Sequence, residues 1–414
     1  MRHPEVTPKP GTGLTLITSS TNPRPADFAD VRATNLAVVL RFVREHAPCS
    51  RADIAASTGL NKATVSSLVA DLIDRRLVRE IGLTENRVGR PATMLVLDGS
   101  PYAAIGMEIN VGSITAVAVD LAGERLLSWR RSFDSAGPVG QGVAAIAAIV
   151  RRVVNRMAKQ ERQVLGLSVA VPGLVDTAGS VRFAPNLGWR DADLSGDLAK
   201  ALRDPGFSIQ VDNDANLAAL AEQRFGSNAG AANLVYLTGE IGVGAGIVLD
   251  GRLRRGGRGY SGEFGHIQLD PAGPECRCGR RGCLVAVAGI GALAPAVASP
   301  SELLAAMEEV ARSAQRGDPA TLARLEVVAG YLGRGVSIIA NLLNPEVVLL
   351  GGYYVQVAEW LLPPVQEAVR VAVIAPEAGG CRVEASTLGL DAAALGGAAR
   401  ILDTVDSGRL PHIS

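Results

Sequence analysis

One imidazole and three thiols fall inside a stretch of 18 residues: His266, closing Gly262-Glu263-Phe264-Gly265-His266, and Cys276, Cys278 and Cys283 in a Cys-x-Cys-Gly-x-x-Gly-Cys run. Zinc favours tetrahedral nitrogen and sulfur ligation, so this set would close a structural zinc site with no open position. The competing reading is free thiols clustered in a reduced cytosol, which the flanking glycine turns disfavour. Five cysteines in 414 residues are too few for a disulfide scaffold, and Cys49 and Cys381, without such company, are expected to be inert. A second chemical stretch is Val211-Asp212-Asn213-Asp214-Ala215-Asn216. It places an amide and a carboxylate where a strand gives way to a helix, an arrangement suited to polyol hydroxyls and equally to capping of that helix by Asp212 or Asn213.

A third stretch is polar rather than reactive. Asn61, Lys62, Thr64, Ser66 and Ser67 front a helix whose apolar stripe is Val65, Leu68, Val69, Leu72 and Ile73. Ahead of it, Leu36, Val39, Leu40 and Val43 recur at helical spacing in a first helix ending before Pro48, and Ser50 is a natural N-cap for a short second helix over 51–57. Gly59 supplies the tight turn between the second helix and the third. This order is a helix-turn-helix, in which the last helix enters the major groove by its N-terminal half. Strands at 77–80 and 94–97 around Asn86-Arg87-Val88-Gly89-Arg90-Pro91 add a wing, whose Arg87 and Arg90 would lie along a neighbouring groove. The alternative is a three-helix structural or protein-docking module. Residues 1–28, with five prolines among Thr, Ser and Gly, are expected to form a disordered arm, and 29–97 the winged helix-turn-helix domain.

Beyond Asp98 strands alternate with helices, the pattern of an α/β fold. Strands are expected at 103–109, 114–120 and 124–133, a helix over 139–159 and a strand at 164–171. Strands at 233–238, 244–249 and 346–350, with helices between Leu303 and Leu343, repeat the logic and predict two related lobes around a cleft. The body would span 98–403, with a closing helix from Asp391 packing back on the first lobe and a loose tail over 404–414.

The chain carries 41 basic and 41 acidic side chains, which argues against a general nucleic-acid coat. The basic excess sits in front: net +3 over 29–97 against −4 from 98 onward. The absence of a signal core and of any run near the roughly 20 apolar residues of a membrane span predicts a cytoplasmic protein without a membrane partner.

Taken in order, Ala170-Val-Pro-Gly-Leu-Val-Asp176, Ala184-Pro-Asn-Leu-Gly-Trp189, Asp212-Asn-Asp-Ala-Asn216, Gly262-Glu-Phe-Gly-His266, the three cysteines and Asn344-Pro-Glu-Val-Val-Leu-Leu-Gly-Gly352 resemble the ROK family. That family holds repressors and sugar kinases sharing an actin-like, ribonuclease-H-like duplicated fold, and the likeness runs from about Val31 to Arg400. It implies a sugar cleft in which Asn213, Asp214, Glu263 and His266 bind hydroxyls. Asp214 falls at the kinases' catalytic base and His266 at the family's zinc ligand. A winged helix ahead of the body resembles the branch of xylose, glucose and N-acetylglucosamine repressors. The implied partners are a double-stranded DNA operator, a small-molecule sugar effector and a second copy of the chain, as a homodimer or higher homo-oligomer.

Three departures qualify the likeness. Where the kinases carry Asp-x-Gly-Gly-Thr, this chain has Glu108-Ile109-Asn110-Val111-Gly112: the side chains of Asn110 and Val111, in place of the two glycines, would occupy the phosphate space, and the Thr hydroxyl is lost at Gly112. Where they carry Gly-Thr-Gly-x-Gly, it has Glu240-Ile241-Gly242-Val243-Gly244, with a carboxylate that repels phosphate. Both predict that kinase activity is lost, an active sugar kinase with an accessory DNA-binding domain being the alternative. Val285 stands where the family places a sugar-contacting Glu, which leaves the effector sugar open and admits a regulator whose cleft has decayed. Residues 98–104 are expected to carry the motion of the reader relative to the body.

Overall fold

The computed structural model describes residues 28–83, 92–134, 137–295, 297, 302–374 and 380–411. The arm expected over 1–28 lies outside them except for Phe28. The first unit begins with α1 (Phe28–His46), whose Leu36, Val39, Leu40 and Val43 are all buried. After β1 (Cys49–Ser50), Ser50 caps α2 (Arg51–Thr58) reciprocally: its hydroxyl accepts the Asp53 N–H while the Asp53 carboxylate accepts the Ser50 N–H. Gly59, at φ +73°, ends that helix in the left-handed conformation. Next come α3 (Lys62–Asp74), β2 (Val78–Leu83) and β3 (Thr93–Leu97), the strands forming an antiparallel sheet in the order β1-β3-β2. Helices and sheet close over Ile54, Val65, Leu68, Leu72, Leu77 and Leu95, completing a winged helix.

The first lobe opens with the meander β4 (Tyr102–Asn110), β5 (Gly112–Val119) and β6 (Arg125–Phe133), followed by α4 (Val139–Lys159) and β7 (Gln163–Val171). A small sheet of β8 (Leu174–Val175), β9 (Val181–Ala184) and β10 (Trp189–Ala192) intervenes before α5 (Leu194–Leu202), β11 (Ser208–Asn213) and α6 (Asp214–Phe225). The second lobe runs β12 (Leu234–Gly239), β13 (Val243–Leu249), β14 (Arg252–Leu253), α7 (Leu284–Ala288), α8 (Ile290–Leu293), α9 (Leu303–Gln315), α10 (Pro319–Leu343), β15 (Val347–Gly352), α11 (Ala358–Ala372) and β16 (Arg382–Ala385). Helix α12 (Ala392–Asp406) then returns to the first lobe.

The two main sheets have one topology. Their orders are β11-β7-β4-β5-β6 and β16-β15-β12-β13-β14: an antiparallel meander with two parallel strands added beside its first strand. Strands β4, β12 and β15 are buried along their whole length, as central strands covered on both faces must be. The duplication sets the β4–β5 turn in the first lobe and the β12–β13 turn in the second at equivalent positions. Helix α10 is long and apolar enough to cross a membrane by length and composition, but it packs in the second lobe's core through Leu325, Val328, Leu332, Val336 and Ile339.

The closing segment differs from the expected loose tail. Helix α12 continues to Asp406, with Val405 and Asp406 buried, and the Arg75 guanidinium donates to the Pro411 carbonyl at 2.9 Å. The short sequence beyond Leu402 gave no second apolar stripe to read; contacts with a distant helix order it. Small residues permit the seat of α12. A Cβ on Gly396 would lie 1.7 Å from the Leu217 carbonyl oxygen of α6, and one on Gly106 of β4 would lie 1.8 Å from the Ala394 carbonyl oxygen. Gly396→Ala is therefore expected to cost about 1–3 kcal/mol by forcing two helices apart. Thermal unfolding followed by circular dichroism checks it against Gly140→Ala, which meets nothing within 4 Å and should be near neutral.

Candidate functional site

In the reader, α3 buries Val65, Leu68, Val69 and Leu72 and turns Asn61, Lys62, Ser66 and Ser67 to solvent, with Thr64 half-buried. Two of these polar groups also serve the helix itself. Asn61 is the N-cap, its side-chain oxygen accepting the Thr64 N–H at 2.8 Å, and the Ser66 hydroxyl donates to the Lys62 carbonyl at 2.9 Å. Asp71 holds α3 to α1 through Arg32 at 2.9 Å and is gripped by Arg75 at 2.7 Å. Arg87 and Arg90 lie outside the described residues.

The cysteine cluster assembles from two turns. His266 ends the 3-10 turn Phe264–His266, and Cys283 sits at the N-terminus of α7. The Leu284 N–H donates to the Ile267 carbonyl at 2.9 Å, which ties the two turns together. One ligand atom from each of His266, Cys276, Cys278 and Cys283 lies within 4.8 Å of the others, so the cluster can hold a metal ion. His266 Nδ1 is 3.7 Å from Cys276 Sγ, and Cys278 Sγ is 3.7 Å from Cys283 Sγ. A backbone N–H near Arg280 and the neighbouring groups lower the Cys278 thiol to about 6, while burial pushes Cys283 up to about 12.

At the mouth of α6, Asn213 is the N-cap, its side-chain oxygen accepting the Asn216 N–H at 3.0 Å. Its amide nitrogen donates to the Gly173 carbonyl at 3.1 Å and to the Asp214 carboxylate at 2.9 Å. The capping role is thus realised in Asn213, which at the same time binds Asp214. Burial, then the Glu240 charge, raises Asp214 to about 7; Glu263 also presses on it, and Glu263 itself is raised by burial with His266 opposing. Asn213, Asp214, Glu263 and His266 therefore adjoin one another in a chain of contacts and charges. Val285, on α7, packs partly buried against the second-lobe core.

Between the equivalent turns lies a polar bridge. The Asn110 amide donates to Glu108 at 3.1 Å and to Glu240 of the other lobe. Burial and the facing Glu240 push Glu108 well up; burial raises Glu240 against the pull of Arg130. Sequence reading marked Glu108, Asn110 and Glu240 individually but missed that they meet, and it missed Arg130, Arg255 and Arg400 altogether. An arginine at a strand end or on a helix carries no local signal of a distant carboxylate.

A ROK family model matches residues 104–404. The chain belongs to the ROK family. A MarR family model matches residues 37–84, over the winged helix. The xylose repressor of Bacillus subtilis (strain 168) is 31% identical over 379 residues, covering 91% of this chain and 97% of that one. Among solved structures, a ROK family transcriptional regulator described as a homolog of the E. coli MLC protein superposes with a TM-score of 0.77 at 28% identity, covering 92% of this chain and 98% of its own. A ROK family glucokinase from Streptomyces griseus, in complex with glucose and AMPPNP, gives 0.60 at 30% identity and covers 72% of this chain and 98% of its own. The regulator's likeness thus extends over more of this ROK chain than the kinase's does.

Asp214 gives the site a pH signature. With a folded value near 7 against an ordinary 3.8, the folded protein keeps this proton where the unfolded chain has lost it. Stability from this group therefore falls as pH rises from about 4 to 7. The stability of Asp214→Asn relative to the parent should accordingly grow between pH 4.5 and 8 by on the order of 2 kcal/mol, discounted for partial solvent access. Paired thermal melts across that range check the sign.

Proposed function

We propose that this ROK protein is a sugar-responsive transcriptional repressor: a homodimer that binds a double-stranded operator through two winged helices and releases it when a sugar occupies the interlobe cleft. What supports the reading is the joining, in one chain, of a reader with an outward polar helix face and a body in which Asn213, Asp214, Glu263 and His266 adjoin one another, while Asn110 bridges Glu108 and Glu240 at the positions where the resemblance puts the kinases' phosphate loops. In this reading Asn61, Lys62, Thr64, Ser66 and Ser67 meet base edges and phosphates, with Arg87 and Arg90 on the flanking groove. Asn213, Asp214, Glu263 and His266 hold sugar hydroxyls.

Fluorescence anisotropy on duplexes from the region upstream of its gene, repeated with pentoses, hexoses and N-acetylhexosamines, tests the proposal. Specific, salt-sensitive binding released by one sugar is expected; specific binding that every sugar leaves unchanged would sink the effector role. Thr64→Ala should cost about 1–3 kcal/mol on the specific duplex alone, whereas Arg90→Ala should weaken all sequences and reduce the salt slope by about 1.

A kinase reading has one observation in its favour. An Asp214 raised to about 7 suits a general base working near neutral pH. Against it stand the carboxyls of Glu108 and Glu240 at the positions of the kinases' phosphate loops, since a base without a nucleotide opposite it transfers nothing. Sugar-dependent ADP release that Asp214→Asn abolishes would favour the kinase.

We further assign the cluster of His266, Cys276, Cys278 and Cys283 to structural zinc. A tetrahedron with bonds of about 2.3 Å has edges of roughly 3.8 Å, close to the 3.7 Å between the Cys278 and Cys283 sulfurs. With Nδ1 of His266 turned to Cys276, Nε2 is left for a sugar hydroxyl, so one ring can serve both sites. Purified protein should carry about one zinc per chain by elemental analysis, and Cys283→Ser should lose it together with sugar binding.

A further inference from the structure

Asp212 is buried, 3% exposed, one residue before the Asn213–Asp214 pair. One carboxylate oxygen accepts the Asn213 N–H at 2.8 Å and the Asn216 amide at 3.3 Å, fixing the first turn of α6. The other oxygen is shared by two guanidiniums that come from different parts of the molecule. Arg255, on the second-lobe loop leading toward Glu263 and His266, donates through Nε at 2.9 Å and Nη2 at 2.6 Å. Arg400, on α12, donates through Nη1 at 2.6 Å while its Nε binds the Gln210 side chain at 2.6 Å. Asp212 is therefore the point at which the second lobe, the sugar-type residues of the first lobe and α12 are joined.

The same helix grips the reader at its other end. Asp406 of α12 accepts from Arg44 of α1, and Arg224 of α6 spans Asp403 and Asp406 at 2.8 Å each. Ala398, Ile401, Leu402 and Val405 share a core with Leu36, Val39, Leu40 and Val43 of α1. From Arg400 to Asp406 is about 9 Å of helix, too short to bend and close-packed along its length. A displacement imposed at one end reaches the other.

We propose that Asp212 is a positioning residue that couples the interlobe cleft to the DNA reader through α12. It senses the second lobe through Arg255 and transmits the displacement through Arg400 to the helix whose far end holds α1. The inference rests on the proposed sugar response, for which it supplies the route: drawing Glu263 and His266 toward Asn213 and Asp214 shifts Arg255 on Asp212. Because Asp212 also orders the backbone that presents Asn213, occupancy of the cleft and the angle of the reader share one carboxylate.

Hydrogen exchange by mass spectrometry on the full chain, without DNA or sugar, tests the route. Arg400→Gln should speed exchange of α1 amides about 5-fold or more, Arg400→Lys should restore it, and β12 should be unchanged. Combined with Arg44→Gln, it should add nothing beyond the faster single variant. An effect of Arg400→Gln confined to β11 and α12, or a double variant equal to the product of the singles, would overturn the coupling. Should Arg400→Gln loosen β12 as well, Asp406→Asn carries the test from the other end. Coupling is reciprocal, so it must speed exchange in the loop 254–261, and no change there overturns the proposal. Repeating the measurement with D-xylose, D-glucose and N-acetylglucosamine separates the two readings. Sugars without effect would sink the sugar response while the ligand-free variants still decide the coupling.

Discussion

Close approach of backbone to backbone along α12 is the constraint from which the remaining geometry follows. Gly106 of β4, Gly396 and Gly397 of α12 and the carbonyls of Ser168 and Leu217 leave no room for a side chain, so the helix seats backbone to backbone on the first-lobe sheet and α6. Dispersion contacts at that distance are individually weak and collectively decisive. From that seat, its outward apolar face becomes the surface on which the reader's first helix rests, and its charged edge meets Arg44 and Arg224. The reader is packed on the body by a shared core, and its ion pairs add direction more than strength.

The cleft follows a different rule. Burying Glu108, Asp214 and Glu240 within reach of one another is unfavourable for their ionised forms, and the direction of each shift reflects that. Asn110 and Arg130 offset the cost by donating to or facing these carboxyls. A phosphate group entering the same space would add negative charge beside these carboxyls. A neutral polyol adds none and can accept from a protonated carboxyl or donate to an ionised one.

What the sequence revealed divides along locality. The winged helix was legible because caps, a glycine turn and apolar stripes are written within a few residues of one another: Ser50, Gly59, Asn61 and the Val65–Leu72 stripe all take their expected places. The strands and α4 were legible from periodicity, and the His/Cys cluster from spacing. What escaped notice was long-range. The cap read at Asp212 or Asn213 falls on Asn213, but nothing nearby in the chain signalled that Asp212 binds guanidiniums 43 and 188 residues away. The end of α12 looked loose since nothing near it in the chain says that Arg44, 362 residues earlier, will be its partner.

The linkage between reader and body narrows how any signal can reach DNA. Only Asp98 to Pro101 separate the last reader strand from β4, and this segment is itself tied down: the Asp98 N–H donates to the Leu77 carbonyl at 3.0 Å and the Tyr102 hydroxyl to the Arg75 carbonyl at 2.7 Å. A reader so attached cannot swing on a slack tether; its orientation is set by the first lobe and α12 together. An effector confined to the cleft must therefore act by favouring one arrangement of those elements over another, and its reach is bounded by its differential affinity for the two. Turning a population from mostly DNA-competent to mostly incompetent requires on the order of 10⁴-fold preference. Under the proposed sugar response, a ligand contacting both lobes would achieve that more readily if closure itself is part of the difference, because the contacts of the second lobe would then be made in one state and lost in the other.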